Sequence, residues 1–390
     1  MERNRILLNT SLVYSFIFFA FGTLYPLLSL FFVYKGISGR QLGLLLSVGP
    51  FIAIIFQPLW GFYCDLKKKP NGVIIFALVM AAGFSLLFTV SHSYWVMLIL
   101  IILLTIFQCA VMPILDKLSL NVAELVGSTY GRIRLWGSTG YAVAAMIASV
   151  IVGLTSITLI FYIYSLMFLM SSLLVRNIPN TEIKMKNNIF KGLKKLISEP
   201  QLILFIFSAI LIYGPISSNS YFLGLLFEDL KSSTFSIGLA FLLFSLSEIP
   251  VMFYSGKLLN YFGSEKVLIF AALLSAVRWF WYGLLPSPTM IISLFLLHGL
   301  TVGLYITAAI KLLRKISSEH LQTTSISIFT SVGMGFGSVI CNFLGGIIIE
   351  KFSIGDVYTF FGIISIVGAT LLLILLFIEK FRLTKNSISM

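Results

Sequence analysis

Residues 94–115 read YWVMLILIILLTIFQCAVMPIL, with no Asp, Glu, Lys or Arg among them. A membrane-spanning helix needs roughly 20 mostly apolar residues, so this stretch is long enough to cross a bilayer. It stops at Asp116-Lys117. Comparable runs lie on both sides, at about 6–34, 41–63, 72–91, 135–154, 157–176, 201–227, 235–256, 266–285, 289–311, 323–349 and 357–378. The pattern predicts an all-α integral membrane protein with twelve transmembrane helices. Composition agrees. Of 390 residues, 58% are hydrophobic and 11% charged, against about 45–50% and 25% in soluble domains. A soluble enzyme, a nucleic-acid-binding protein and a secreted disulfide scaffold are excluded as readings.

The net charge of +13 is a matter of topology rather than of nucleic acid. With the N-terminus placed inside, the alternate inner segments hold 22 of the 27 Lys and Arg residues, the outer ones hold four, and Arg278 falls within a span. That asymmetry predicts a multi-pass protein of the cell (plasma or inner) membrane, with both termini cytoplasmic. The longest polar stretch, 178–199, includes most of NNIFKGLKKLISEP. Ile189, Leu193, Leu196 and Ile197 can share one face there, so an interfacial amphipathic helix is expected. It divides the chain into an N-terminal six-helix bundle (1–177) and a C-terminal one (200–390). Cys64, Cys109 and Cys341 show no CxxC spacing and read as small packing residues. His92 and His320 sit at loop ends. No metal-ligand spacing is visible, and no cofactor is expected beyond protons as coupling ion.

The halves carry a faint repeat. Gly61-x-x-x-Asp65 follows the second run, and Gly256-x-x-x-Asn260-x-x-Gly263 follows the eighth. Such parallel repeats are a known transporter architecture. The stretch Gln57-Pro58-Leu59-Trp60-Gly61-x-x-x-Asp65 before Lys67–Lys69 resembles the signature loop of the major facilitator superfamily. That resemblance makes Gly61, Asp65, Gly256 and Asn260 candidates for the conformational gate. More specific are Pro113-Ile114-Leu115-Asp116-Lys117 and Tyr130-Gly131-Arg132-Ile133-Arg134-Leu135-Trp136-Gly137-Ser138-Thr139-Gly140-Tyr141, with Glu248, Arg278 and His298. Together they resemble the branch that holds lactose permease and the other oligosaccharide–proton symporters, the phenylpropionate permease-like group and the nucleoside–proton symporters. The likeness covers essentially the whole chain.

In the galactoside symporters an acidic residue on helix four, followed by Lys, pairs with an Arg on helix five around the sugar hydroxyls. Asp116, Lys117 and Arg134 match that pattern, which implies that the fourth and fifth helices extend past their apolar runs. The aromatic position seven residues after that Arg is Tyr141, where the galactoside family has Trp. On the proton side the resemblance assigns Glu248, Arg278 and His298. The family's Glu three residues after that His is replaced by Thr301. The Tyr130–Gly137 stretch is closer to the phenylpropionate permease-like group.

The residues support such roles independently. A charge at mid-bilayer costs about 2.5–3.5 kcal/mol on insertion scales, so Glu248 in its apolar run must be neutral, paired or facing water. A carboxylate held in that way can load and release a proton. Arg278 keeps its proton and acts as a counter-ion or anion ligand. Tyr25-Pro26, Tyr213-Gly214-Pro215, Asn219 and Tyr221 combine loosened helices with polar rings that could line a cavity. The glycines Gly333, Gly335, Gly337, Gly345 and Gly346 read as close helix packing.

The expected function is secondary active transport: proton-coupled uptake of a small polar solute, a sugar or glycoside or an aromatic carboxylate, with a nucleoside as a further alternative. A proton-antiport exporter of drugs or lipids is the other class. The partners are the solute and the lipid bilayer, without nucleic acid, and the resemblance implies a monomer.

Overall fold

Inside a bilayer no water is present to satisfy backbone N–H and C=O groups, so an apolar chain closes its hydrogen bonds within each segment and forms helices. The computed structural model describes residues 2–67, 69–179, 200–317 and 322–388, and no strand occurs among them. The helices are α1 (Glu2–Tyr34), α2 (Gly39–Lys67), α3 (Pro70–Leu87), α4 (Tyr94–Val126), α5 (Tyr130–Leu154), α6 (Leu159–Val175), α7 (Pro200–Asp229), α8 (Thr234–Phe262), α9 (Ser264–Gly283), α10 (Pro288–Ile316), α11 (Gln322–Ile328), a π-helical segment (Phe329–Phe336), α12 (Gly337–Lys351) and α13 (Ile354–Ile388). Eleven of the predicted apolar runs lie in stretches long and apolar enough to cross a membrane, and the twelfth is α6, with 17 residues. The protein is a multi-pass membrane protein. Of the predicted amphipathic segment at 178–199, residues 180–199 lie outside the described residues, as does His320.

Two helix ends differ from the hydropathy reading. The apolar runs stop at 115 and resume at 135, but α4 continues to Val126 and α5 begins at Tyr130. The physical stop is Gly127, in the left-handed region with φ 68°, where Ser128 N–H closes on the Ala123 carbonyl at 2.8 Å. This is a helix-ending turn that glycine enters without a Cβ penalty. Asp116 and Arg134 are therefore inside helices.

Contacts divide the chain into two compact units, Met1–Lys186 with Ser220–Ser245, and Asn187–Asn219 with Leu246–Met390. In the first unit α1 is the central element. It packs on α5 through backbone against backbone: a Cβ on Gly22 would strike the Tyr141 carbonyl, and one on Gly140 the Ser15 carbonyl. Around this pair, polar side chains pin neighbouring helices to backbone carbonyls. Trp60 Nε1 donates to Ile106 O at 2.5 Å, Asn71 Nδ2 to Ile178 O at 2.6 Å and Ser165 Oγ to Ala82 O at 2.6 Å.

In the second unit α9 packs on α10 and α13. The glycine-rich stretch packs closely at Gly337, where a Cβ would lie 2.6 Å from the Ile210 carbonyl. The gate candidates Gly61 and Asp65 fall in the final turns of α2, and Gly256 and Asn260 in those of α8, rather than in loops. A Cβ on Gly61 or Gly256 would meet nothing within 4 Å, so neither glycine serves close packing here. Asn260 Oδ1 accepts from Lys311 Nζ at 2.6 Å, beside the Lys315–Glu265 ion pair at 2.7 Å.

Candidate functional site

The extension of α4 brings Asp116 beside α1 and the start of α5. Tyr14 Oη donates to Asp116 Oδ1 at 2.5 Å, and Tyr130 Oη donates to the same oxygen at 3.0 Å. Arg134 lies with its guanidinium 4.2 Å from the Phe18 ring centroid and 5.9 Å from that of Tyr14. Gly137 leaves room for this arrangement, because a Cβ there would stand 2.9 Å from the Phe18 ring. Among the described residues no ion pair joins Asp116 to Arg134. The resemblance implied such a pair. Here two phenols hold the carboxylate and aromatic faces hold the cation, each interaction strengthened by low polarity. Both charges are only half-buried, so both remain within reach of a solute.

Tyr141 follows on α5 and meets Phe241 edge to face at 5.9 Å. Tyr25 meets Tyr221 in the same way at 5.8 Å. Tyr25 and Tyr221 line a cavity of about 260 Å³ within the first unit, together with Gln57, Thr105, Gln108 and Cys109; no charged side chain lines it. Pro50 and Pro113 also line it. Each proline lies inside its helix, where its missing N–H withdraws a backbone donor from the carbonyl four residues before. The cavity reaches Met112 and Pro113, one turn of α4 from Asp116.

In the second unit Arg278 is 2% exposed. Its guanidinium lies 4.0 Å from the Trp279 ring centroid and 5.6 Å from that of Tyr282. The Tyr282 hydroxyl is its polar neighbour, and none of its three nitrogens is hydrogen-bonded to Glu248 or to His298. His298, also buried, joins this cluster, with its ring 5.9 Å from Trp279 and 5.1 Å from Phe295. Thr301 gives its hydroxyl to the His298 carbonyl at 3.0 Å. A hydroxyl spent on its own helix is no substitute for the missing carboxylate. Glu248 is half-buried on α8 and lies within electrostatic range of Tyr213. Arg278 and His298 thus share one aromatic cluster. No group of three or more metal-ligating side chains occurs among the described residues.

Residues 7–360 match the MFS_1 like family. The chain belongs to that family. This MFS_1-like protein is similar to a maltose permease of Geobacillus stearothermophilus, 35% identical over 366 residues that cover 93% of each chain. It is also similar to a sucrose permease of Escherichia coli, 25% identical over 388 residues that cover 95% of this chain and 93% of the permease. Among solved structures, the nucleoside transporter NupG superposes with a TM-score of 0.84, 16% identity and coverage of 95% of this chain and 99% of that one. At that identity the likeness shows the fold. The MFS_1-like protein is a transporter and not an enzyme.

Several polar residues of this MFS_1-like transporter escape sequence reasoning. Tyr14 is separated from Asp116 by 102 positions, and nothing local links them. Gln108 is different. It is the one amide in the run 94–115, and an amide buried in lipid costs several kcal/mol unless its partners are supplied. That cost was a readable signal of a polar contact. Of the ring-and-proline group, Tyr25 and Tyr221 line the cavity, while Asn219 accepts from Tyr358 Oη at 3.0 Å and Tyr213 packs on Tyr305 at 6.3 Å.

Proposed function

We propose that this transporter takes up a neutral sugar or oligosaccharide together with protons. The observation that carries the reading is the uncharged cavity of about 260 Å³, walled by Tyr25, Tyr221 and Gln108. Sugars are recognised by such surfaces, with rings against the apolar faces of the solute and a few polar groups for its hydroxyls. The full-length similarity to a maltose permease and a sucrose permease supports it. In this reading Asp116, Arg134 and Tyr141 complete the solute site, and Glu248, Arg278 and His298 couple it to the proton. Glycine and proline positions let two six-helix halves, 1–177 and 200–390, rock around the site. The chain crosses the plasma membrane twelve times as a monomer, with α6 as the sixth span and both ends in the cytoplasm; the 22-to-4 distribution of Lys and Arg supports the orientation. An aromatic carboxylate is the second reading. It is favoured by Arg134, whose charge Asp116 does not neutralise in an ion pair.

The test is external pH in a lightly buffered suspension of de-energised cells. Maltose and sucrose are expected to raise it on addition, and aromatic acids to leave it unchanged. Alkalinisation by aromatic acids alone would replace the first reading with the second. Proton-driven dye efflux without any symport would replace both with an exporter.

The carboxylate makes a further prediction. Hydrogen bonds to a charged group contribute about 1.5–3 kcal/mol, so Asp116→Asn is expected to raise the KM for sugar uptake about 10- to 100-fold. An unchanged KM in an initial-rate assay would remove Asp116 from the site.

A further inference from the structure

Three hydrogen-bonding side chains, from three helices of the first unit, form a chain whose direction is fixed at one end. Tyr164 on α6 is fully buried, and its Oη donates to Gln108 Oε1 at 2.8 Å. A buried phenol that loses its donor contact bears the full cost of desolvation. Tyr164 therefore holds the Gln108 carbonyl on its own side. The amide nitrogen of Gln108 must face the other way, and there Nε2 donates to Tyr25 Oη. A hydroxyl that accepts a hydrogen bond keeps its own proton to give. Tyr25 and Gln108 line the cavity, whereas Tyr164 does not. The order Tyr164 to Gln108 to Tyr25 thus delivers an O–H donor to the cavity wall beside the ring of Tyr221.

We propose that Tyr25, oriented by Gln108 and Tyr164, is the specificity-determining donor of the solute site. It takes an uncharged solute through an acceptor oxygen, a hydroxyl of a sugar. Tyr164 is a positioning residue: it acts through Gln108 without touching the solute. The absence of a cation in the cavity lining disfavours a carboxylate at this subsite, because its charge would be desolvated without a counter-ion. The inference rests on the sugar reading above.

The experiment is equilibrium binding of maltose and of its singly deoxygenated analogues to the purified full-length transporter. Wild type is expected to discriminate against one deoxy analogue more than the others. Tyr25→Phe should weaken maltose binding about tenfold, the upper range for a neutral hydrogen bond, and should abolish discrimination at that one position. Tyr164→Phe should weaken binding several-fold. The double variant should bind no worse than Tyr25→Phe alone, because both changes break one chain. Gln108→Met, similar in size and unable to donate, should reproduce the Tyr25→Phe profile and stands in if Tyr25→Phe fails to fold. Strong maltose binding that Tyr25→Phe or Gln108→Met leaves unchanged, or additive losses in the double variant, would overturn the donor assignment and leave the sugar reading standing. A wild type that binds aromatic acids and no neutral sugar would overturn the sugar reading and this assignment with it.

Discussion

Glu248→Gln is expected to abolish accumulation while leaving solute exchange intact. Glutamine has the shape of protonated glutamate and cannot release a proton, so the variant imitates one coupling state permanently. With one proton carried per solute, an inside-negative potential of 100 mV supplies about 2.3 kcal/mol, equivalent to about a 50-fold concentration ratio. Vesicles that hold the wild type should approach that ratio for labelled maltose under an imposed potassium diffusion potential. Vesicles that hold Glu248→Gln should stop at a ratio of about one, yet exchange internal for external sugar at a rate comparable to wild type. The same reasoning sets Arg278 apart. It cannot readily lose its proton, and it is buried against the rings of Trp279 and Tyr282. Glu248, half-buried on α8, is a carboxylate whose charge can change, and it has the coupling role in the proposed function. Accumulation by Glu248→Gln equal to that of wild type would transfer the coupling role elsewhere.

The helices were legible because lipid leaves an apolar chain no alternative. Each apolar run in the sequence lies within an observed helix or differs from it by a few residues at the ends, except 323–349, which is divided among α11, the π-helical segment and α12. What hydropathy could not see is where a helix stops for conformational reasons. The run before Asp116 ends on composition, whereas α4 ends eleven residues later at the left-handed Gly127. The π-helical turn at Phe329–Phe336 was invisible for a related reason. Its glycines read as packing residues, and the packing of Gly333 against Ala209 belongs to tertiary structure. The candidate charges were visible in the sequence and their partners were not. The resemblance singled out Asp116 and Arg134, but the choice of Tyr14 and Tyr130 for the carboxylate and of Phe18 for the guanidinium depends on where α1 crosses α5.

That crossing yields the largest expected effect on stability, and its sign is the test. Within a helix, Gly→Ala ordinarily stabilises by about 0.8–1 kcal/mol, since alanine loses less backbone entropy. Gly83, exposed on α3 with nothing within 4 Å of an added Cβ, should follow that rule. Gly140→Ala and Gly22→Ala should reverse it. The new methyl on Gly140 meets the Ser15 backbone, and that on Gly22 meets the Tyr141 backbone. Neither obstacle is a side chain that can rotate away. Ser15 and Gly22 are seven residues apart on α1, about 10 Å along the axis, so the two contacts fix both the distance and the angle of the crossing. Overpacking of this kind costs about 3 kcal/mol or more, and separating the helices also shifts Phe18, which lies between the two contacts and carries the Arg134 guanidinium. Thermal melting of the purified protein should show Gly83→Ala at or above wild type and both crossing variants well below it, with weakened maltose binding in the crossing variants alone. A Gly140→Ala protein as stable as Gly83→Ala would mean that α1 and α5 do not meet backbone to backbone, and the placement of Arg134 would have to be drawn again.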